Sequence, residues 1–444
     1  MFKKLINFGH SRLALLDEHT LEVVKKSSTT TIVRGAGMLF GVAISIFVGR
    51  LLGADGLGII NLSNQIVNIL LMVTMLGFPT VILKEVAIAY SRKDWYHAQS
   101  VIKTSFKVNG TFALITISIA LLLIPYLVAK VFDEPQLKIP LTIAVVAMLF
   151  QVASRIYASA VNGYKKIWQS ALVNQSLSVF IVLISVVIQY LLDYKITVVS
   201  VAWLYGISRA IVALSIGAYW KRIHHPATKT SFIPRQLFKV ALPLLFVQAT
   251  NTIASSIDTL MIGTFLDAKA VGLYSVTLRI AFVSSFFLQV TNAALGPKVA
   301  SMFANNQLDD LQTTIQKVTK GLTLISIAIF LVIVFAGKIL LNIWGTEFST
   351  AYWPLIILSI GQMVNISAGC VGLVLTLCNQ EKIWGYVTLS SAILNTILNV
   401  LFIKWWGING AALATALNLI FINVAAVILV RKRIKINPIP FLKI

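Results

Sequence analysis

Apolar residues occur along the chain in twelve long runs with few charges, separated by short polar segments. A hydrocarbon core of roughly 30 Å requires about 20 apolar residues for one helical crossing. Each run therefore predicts one transmembrane helix. The runs cover residues 30–52, 58–83, 111–132, 139–161, 171–191, 197–220, 240–266, 271–295, 321–344, 353–377, 384–403 and 408–430.

The pattern predicts an all-α polytopic membrane protein of about 12 transmembrane helices in two pseudo-symmetric six-helix lobes. Residues 49–66 align with residues 263–280 at a constant separation, which pairs Gly49 with Gly263 and Gly58 with Gly272. Six crossings return the chain to its starting side, so both lobes have the same orientation. The predicted segments are a cytoplasmic amino-terminal segment (1–28), the first lobe (29–220), a cytoplasmic linker (221–239), the second lobe (240–430) and a basic cytoplasmic tail (431–444).

Composition and charge support this interpretation. The 444 residues are 58% hydrophobic and 12% charged, with a net charge of +22, and the mean hydropathy is +0.87. Most Lys and Arg residues lie in the segments that are cytoplasmic if the amino terminus is inside, which predicts that both termini are cytoplasmic. The excess positive charge therefore indicates membrane topology and contact with anionic lipid headgroups, and we expect no nucleic-acid partner.

Four ionisable residues inside the apolar runs are candidate functional residues, because a charge in the bilayer is costly and usually faces a cavity or a partner. They are Arg34, Arg209, Asp258 and Arg279. Arg34 and Arg279 lie near helix ends, where extension to the interface is the alternative. Arg209 and Asp258 are deeper, and the pattern allows either separate anion-binding and cation-binding groups or one linked pair.

Polar side chains at helical spacing predict a hydrophilic central cavity. Helix seven places Gln248, Asn251 and Asp258 on one face, together with Ser255, and helix two carries further asparagines. The alternative is that these side chains form interhelical hydrogen bonds that only hold the bundle together. The helix-two residues are Asn61, Asn64 and Asn68.

Three segments resemble a known family. They are FVGRLLGADGLGIINLSNQIVNILLMVTMLGFPTVILKEVA at 47–87, SSIDTLMIGTFLDAKAVGLYSVTLRIA at 255–281 and LNTILNVLFIKWWGINGAALATAL at 394–417. They are similar to polysaccharide and O-antigen flippases of the multidrug/oligosaccharidyl-lipid/polysaccharide exporter superfamily. The resemblance implies a two-lobe transporter that carries an undecaprenyl-diphosphate-linked oligosaccharide from the cytoplasmic to the outer leaflet.

The resemblance also implies roles for particular residues. Arg34 and Arg279 match positions at which related lipid II flippases hold the diphosphate, and Arg209 adds a third cation. Those relatives place a sodium ion among helices seven, eleven and twelve. The matching positions here are Asp258, Asn395, Asn399 and Thr415. Asn399 stands where the relative has a second carboxylate, so coupling by either sodium or a proton stays open, with no other cofactor.

The expected function is therefore a lipid-linked oligosaccharide flippase that works by alternating access in the bacterial cytoplasmic membrane, with a polysaccharide polymerase as a candidate partner. One rival is a cation-coupled multidrug exporter of the same superfamily, which would favour a carboxylate-rich cavity. Three intramembrane arginines against one aspartate argue for an anionic substrate instead. The other rival, a glycan polymerase or ligase, would need external catalytic acids, and the short predicted external loops carry few acidic residues. We therefore expect no enzyme.

Overall fold

The computed structural model describes residues 18–225 and 231–440, except for the side chains of residues 18–28, Val247 and Asn251. The predicted all-α fold is confirmed, because every regular element in this part of the chain is helical. The amino-terminal half contains α1 (Glu18–Met75), α2 (Phe78–Arg92), α3 (Trp95–Tyr126), α4 (Lys138–Gly163), α5 (Ile167–Ala171), α6 (Leu177–Leu191) and α7 (Val198–Ile223).

The carboxy-terminal half of the described chain repeats this helical organisation. It contains α8 (Pro234–Phe265), α9 (Ala268–Phe282), α10 (Ser285–Ala304), α11 (Leu308–Asn342), α12 (Tyr352–Ser367), α13 (Val371–Leu377) and α14 (Glu381–Leu429). The helical start at Pro234 places residues 234–239, predicted to be part of the linker, inside a helix. Residues 18–28 of the predicted amino-terminal segment likewise lie in a helix.

Helix α1 contains two membrane crossings. Its apolar part from Thr29 to Met75 has 47 residues, and a straight helix of that length would span about 70 Å, more than twice the thickness of the hydrocarbon core. Gly53 interrupts it with a non-helical backbone (φ 70°). Residues on both sides of Gly53 contact α9: Arg279 bonds to the carbonyl of Gly41, and Ser275 bonds to Asn61. The chain therefore reverses direction at Gly53.

The same device occurs in α14, where Gly407 has φ 55° within a helix of 49 residues. The described residues contain seven helices that are long and apolar enough to cross a membrane, or ten spans when three bent pairs are included. When α1 and α14 are each counted as two crossings, divided at Gly53 and Gly407, the ten spans become twelve. This number and the two-lobe arrangement agree with the sequence prediction.

The lobes meet where the second half of α1 crosses α9. The backbone of Ala268 lies where a Cβ atom on Gly58 would be placed, and the backbone of Ala54 occupies the same position relative to Gly272. Glycine at both positions lets the two backbones approach closely, as small residues do in membrane helix pairs. This crossing lies near Gly53, where α1 reverses direction, on the side predicted to be external.

Three hydrogen bonds close the gap between the lobes at the same end. The indole Nε1 of Trp344 donates to Ser45 at 2.8 Å, and the backbone N–H of Ala54 donates to the Glu347 carboxylate at 2.8 Å. Arg50 Nε donates to the carbonyl of Ile343 at 2.7 Å. We call these contacts the outer latch. The space between the lobes therefore lies toward the other side, where α1 begins.

Candidate functional site

A cavity of about 520 Å³ lies between the first half of α1 and the bent pair α9–α10. Arg34 comes from α1 and Arg279 from α9, so each lobe contributes one guanidinium group. Gln175 and Gln289 add polar groups, and no Asp or Glu occurs among the described residues of the lining. We call this space the arginine cavity. Its charge suits a ligand that carries phosphate or another oxyanion.

Arg279 occupies a central position at this site. Its Nη1 donates to the carbonyl of Gly41 at 2.9 Å, which links α9 to α1 across the lobe boundary. Arg279 and Phe282 also line a second cavity of about 560 Å³ inside the carboxy-terminal lobe. Asp258 lines that second cavity. Any change at the Asp258 cavity that moves α9 therefore also moves one wall of the arginine cavity.

Asp258 is the centre of a buried polar cluster, which we call the Asp258 cluster. One carboxylate oxygen accepts from the side-chain amides of Asn395 at 2.8 Å and Asn399 at 2.7 Å. The other accepts from Thr415 at 2.5 Å and from the hydroxyl of Tyr274 at 3.1 Å. These residues come from α8, α9 and both halves of α14, so the cluster ties four crossings of one lobe together.

The oxygen atoms of the Asp258 cluster fit a hard monovalent cation. The side-chain oxygens of Asn395 and Asn399 are buried without a hydrogen-bond partner, which is unusual for buried acceptors. Rotation of either amide would turn its oxygen toward the Asp258 carboxylate, where a cation would satisfy both. The described residues contain no group of three or more His, Cys, Asp or Glu side chains that would favour a transition metal.

Arg209 belongs to a separate cluster in the amino-terminal lobe and does not contact Asp258. Its Nη2 donates to Asn64 at 2.6 Å, and its Nη1 lies 3.4 Å from the carbonyl of Ala144. Gln151, with its side-chain oxygen turned toward Arg209, accepts from Nη1 at 2.9 Å and Nη2 at 3.1 Å. Of the two arrangements that the sequence left open for Arg209 and Asp258, the structure has two separate groups.

The remaining predicted residues have different surroundings. Asn61 donates to Ser275 across the lobe boundary at 2.8 Å, as the interhelical hydrogen-bond alternative describes. Asn68 is exposed and donates to Gln65 at 3.2 Å. Gln248 is half-buried and lines neither the arginine cavity nor the Asp258 cavity. The side chain of Asn251 lies outside the described part of the structure.

Sequence reasoning missed three residues of these clusters. In the sequence, Tyr274 is one aromatic residue within an apolar run. Its hydroxyl contact with Asp258 depends on how α8 and α9 pack together. Gln151 and Arg155 are four residues apart in α4, which places both on one helix face. The charge of Arg155 inside the run 139–161 was a signal that could have identified it.

Comparisons with known proteins give the following matches. Residues 23–303 match the family described as "Polysaccharide biosynthesis protein", and residues 243–401 match the MatE family. A curated relative, "Probable low-salt glycan biosynthesis flippase Agl15" of Haloferax volcanii, is 29% identical over 222 residues. The match covers 50% of this chain and 44% of that relative, so it spans less than half of the relative's length.

Solved structures with a similar fold are membrane transporters. An inward-facing multidrug resistance MATE family transporter of the MOP superfamily matches with a TM-score of 0.73, at 16% identity over 91% of this chain and 98% of that chain. Lipid II flippase MurJ, in an inward closed conformation, also matches with a TM-score of 0.73, at 16% identity over 92% and 87%. At these identities the likeness shows a shared fold.

Proposed function

Because the chain belongs to the polysaccharide biosynthesis protein family, as the three quoted segments predicted, we propose that it is a flippase for a lipid-linked glycan. The substrate we propose is an undecaprenyl-diphosphate-linked oligosaccharide, moved from the cytoplasmic to the outer leaflet of the bacterial cytoplasmic membrane. The observation that carries this proposal is the arginine cavity, with Arg34 and Arg279 on opposite lobes and no lining carboxylate among its described residues. The Haloferax volcanii relative, by its name, supports glycan flipping.

The proposed mechanism is alternating access. The cavity lies toward the predicted cytoplasmic side, and the outer latch closes the opposite end. A diphosphate would bind between Arg34 and Arg279, because phosphate oxygens accept the paired N–H donors of a guanidinium group. The glycan would occupy the polar space, and the polyprenyl chain would remain in the lipid. Rocking of one lobe against the other would then expose the head group to the outer side.

The Asp258 cluster is our proposed coupling site. Asp258, Asn395, Asn399 and Thr415 would hold a sodium ion, and the Asp258 carboxylate alone would serve for a proton. Asp258 and Arg279 line one cavity, so occupation of the cluster would alter the electrostatic field at Arg279. The ion supplies driving force, and the chain supplies a transport path without a catalytic step. A polysaccharide polymerase is a proposed partner that would receive the flipped substrate.

A multidrug exporter is the second candidate. The MatE match over residues 243–401 favours it, as does Asp258, the carboxylate among the described lining residues of the Asp258 cavity. A cationic drug would have to bind beside Arg279, which repels it. The two candidates therefore predict opposite charges for the transported molecule.

Transport in proteoliposomes tests the proposal. The probe is a fluorescent undecaprenyl-diphosphate trisaccharide, and the readout is its accessibility to an impermeant quencher. We expect the native protein to flip it, and Arg34→Ala and Arg279→Ala to slow flipping at least about tenfold each, because each removes charged donors to the diphosphate. Arg92→Ala is the matched control, because Arg92 is an exposed residue at the end of α2. Export of a cationic dye with no movement of the lipid would favour the multidrug exporter.

A further inference from the structure

Two arginines of the amino-terminal lobe form a cationic cluster apart from the arginine cavity. Gln151 of α4 contacts Arg209 of α7, and Arg155 lies one helical turn after Gln151 on the same face of α4, so the two guanidinium groups are neighbours. Arg209 is held by neutral oxygen atoms of Asn64 and Gln151. Arg155 makes no hydrogen bond or ion pair within the described residues. We call this group the second arginine cluster.

Such a pair is unfavourable unless an anion accompanies it. Like charges repel, and neither guanidinium has a carboxylate partner among the side chains that the structure describes. Arg155 lies eight residues before the end of α4 at Gly163, about 12 Å along the helix axis. Both side chains are partly buried. Extension to the membrane surface therefore does not account for the pair, and an anionic ligand would.

The second arginine cluster is a neighbour of the arginine cavity. Arg209 donates to Asn64 of α1. One turn earlier in α1, Asn61 donates to Ser275, which lies one turn before Arg279 in α9. The second arginine cluster and the arginine cavity are therefore neighbours across the lobe boundary. Arg155 and Arg209 lie on the amino-terminal side of that boundary, in α4 and α7, away from the Asp258 cluster.

The charge balance indicates what kind of group binds there. Four arginines belong to the two groups, two lining the arginine cavity and two in the second arginine cluster, and Asp258 lines the adjoining cavity. A diphosphate diester brings one negative charge per phosphate. Its binding leaves an excess positive charge at Arg155 and Arg209, which a further anionic group on the substrate would neutralise.

We infer that Arg155 and Arg209 form a second oxyanion subsite that binds the carboxylate of an acidic sugar in the transported glycan. A planar carboxylate matches the paired N–H donors of a guanidinium group. Asn64 and Gln151 fix the orientation of Arg209. Arg155 has no such partner among the described residues, so its side chain can close on the ligand. The inference rests on the proposed function and assigns its substrate class, a glycan that contains a uronic acid.

Binding of three lipid probes to the full-length protein in phosphatidylcholine nanodiscs tests the subsite. The probes are undecaprenyl diphosphate, the same lipid with a glucose-terminated trisaccharide, and the same lipid with a glucuronate-terminated trisaccharide. We expect the native protein to bind the glucuronate probe about tenfold more tightly than the glucose probe. Arg155→Gln should abolish that preference and leave the dissociation constant of the glucose probe unchanged, which also shows that the variant is folded.

Other outcomes separate this inference from the proposed function. Equal native affinities for the glucose and glucuronate probes would overturn the subsite and leave the flippase standing. Equal weakening of all three probes by Arg155→Gln would mean that the second cluster holds the diphosphate, which also overturns it. Binding of none of the probes would overturn both proposals. If Arg155→Gln does not fold, the methyl ester of the glucuronate probe replaces it, and we expect the ester to bind the native protein as weakly as the glucose probe.

Discussion

The side-chain amide of Asn61 donates a hydrogen bond of 2.8 Å to the hydroxyl of Ser275, and the two residues are 214 positions apart. The aligned repeat pairs Gly49 with Gly263 at the same separation. A contact between a residue and its own repeat equivalent lies on the axis that relates the two halves. The reciprocal contacts of Gly58 with Ala268 and of Gly272 with Ala54 surround that axis.

The helix crossing at this axis predicts a large effect of one methyl group. In Gly58→Ala the new Cβ would collide with the backbone of Ala268, which cannot move without its helix. We expect a loss of about 1–3 kcal/mol in stability, measured as a lower Tm in detergent. Gly110→Ala is the control, because nothing lies within 4 Å of a Cβ there. A Tm equal to that of the control would show that the lobes do not touch at Gly58.

Glu347 predicts how the outer latch is released. Its carboxylate accepts the backbone N–H of Ala54, so Glu347→Ala should favour opening by about 1 kcal/mol, or roughly fivefold. The readout is the labelling of Val48→Cys by an impermeant maleimide, because Val48 is buried beside the latch. The background carries Cys370→Ser and Cys378→Ser.

The matched control for the latch is Asp55→Ala, which removes a nearby exposed carboxylate that forms no part of it. We expect its labelling rate to equal that of the native protein. Glu347→Gln should lie between the native protein and Glu347→Ala, because an amide oxygen still accepts the Ala54 N–H without the charge. Equal labelling of all variants would mean that Glu347 does not hold the outer side closed.

The crossings and their grouping could be predicted from the sequence because the membrane imposes a length and a polarity on each helix. Helix ends were less accurate. Charged residues such as Arg235 mark the predicted linker by composition, yet they lie in the first turns of α8, since a helix can extend beyond the hydrocarbon into water. The helical residues 18–28 show the same limit.

The contacts of the site could be predicted only in part. Asp258 with Asn395, Asn399 and Thr415 was proposed from a family pattern, and these side chains do lie together. Tyr274 was missed because an apolar helix commonly carries aromatic residues, and no local signal distinguishes a hydroxyl that reaches a buried carboxylate. The partners of Asn61 and Asn64 depend on which helices face each other, which one sequence does not reveal.

Tyr274 predicts a stability effect of one hydroxyl group. Its oxygen lies 3.1 Å from the Asp258 carboxylate and 3.0 Å from Thr415 Oγ1. Tyr274→Phe removes that donor in a fully buried position, so we expect a loss of about 1–2 kcal/mol in sodium-free buffer, seen as a lower Tm. Tyr386→Phe is the matched control, since Tyr386 is 71% exposed. Equal Tm values for Tyr274→Phe and Tyr386→Phe would contradict the hydrogen bonds at Tyr274.

Sodium dependence of thermal stability distinguishes the two coupling ions. A ligand that binds only the folded state stabilises it, by about 2.7 kcal/mol at a hundred times its Kd. If the Asp258 cluster binds sodium, the Tm of the native protein should rise in sodium chloride relative to choline chloride, and Asp258→Asn should lose that rise. Asn399→Asp should enlarge it, because a second carboxylate strengthens the attraction for the cation. Asp309→Asn, at an exposed position near the start of α11, should respond like the native protein. If the native Tm does not change with sodium but changes with pH, and Asp258→Asn loses the pH response, the cluster couples to a proton instead. The Asp258 carboxylate would then bind a proton where it would otherwise bind sodium.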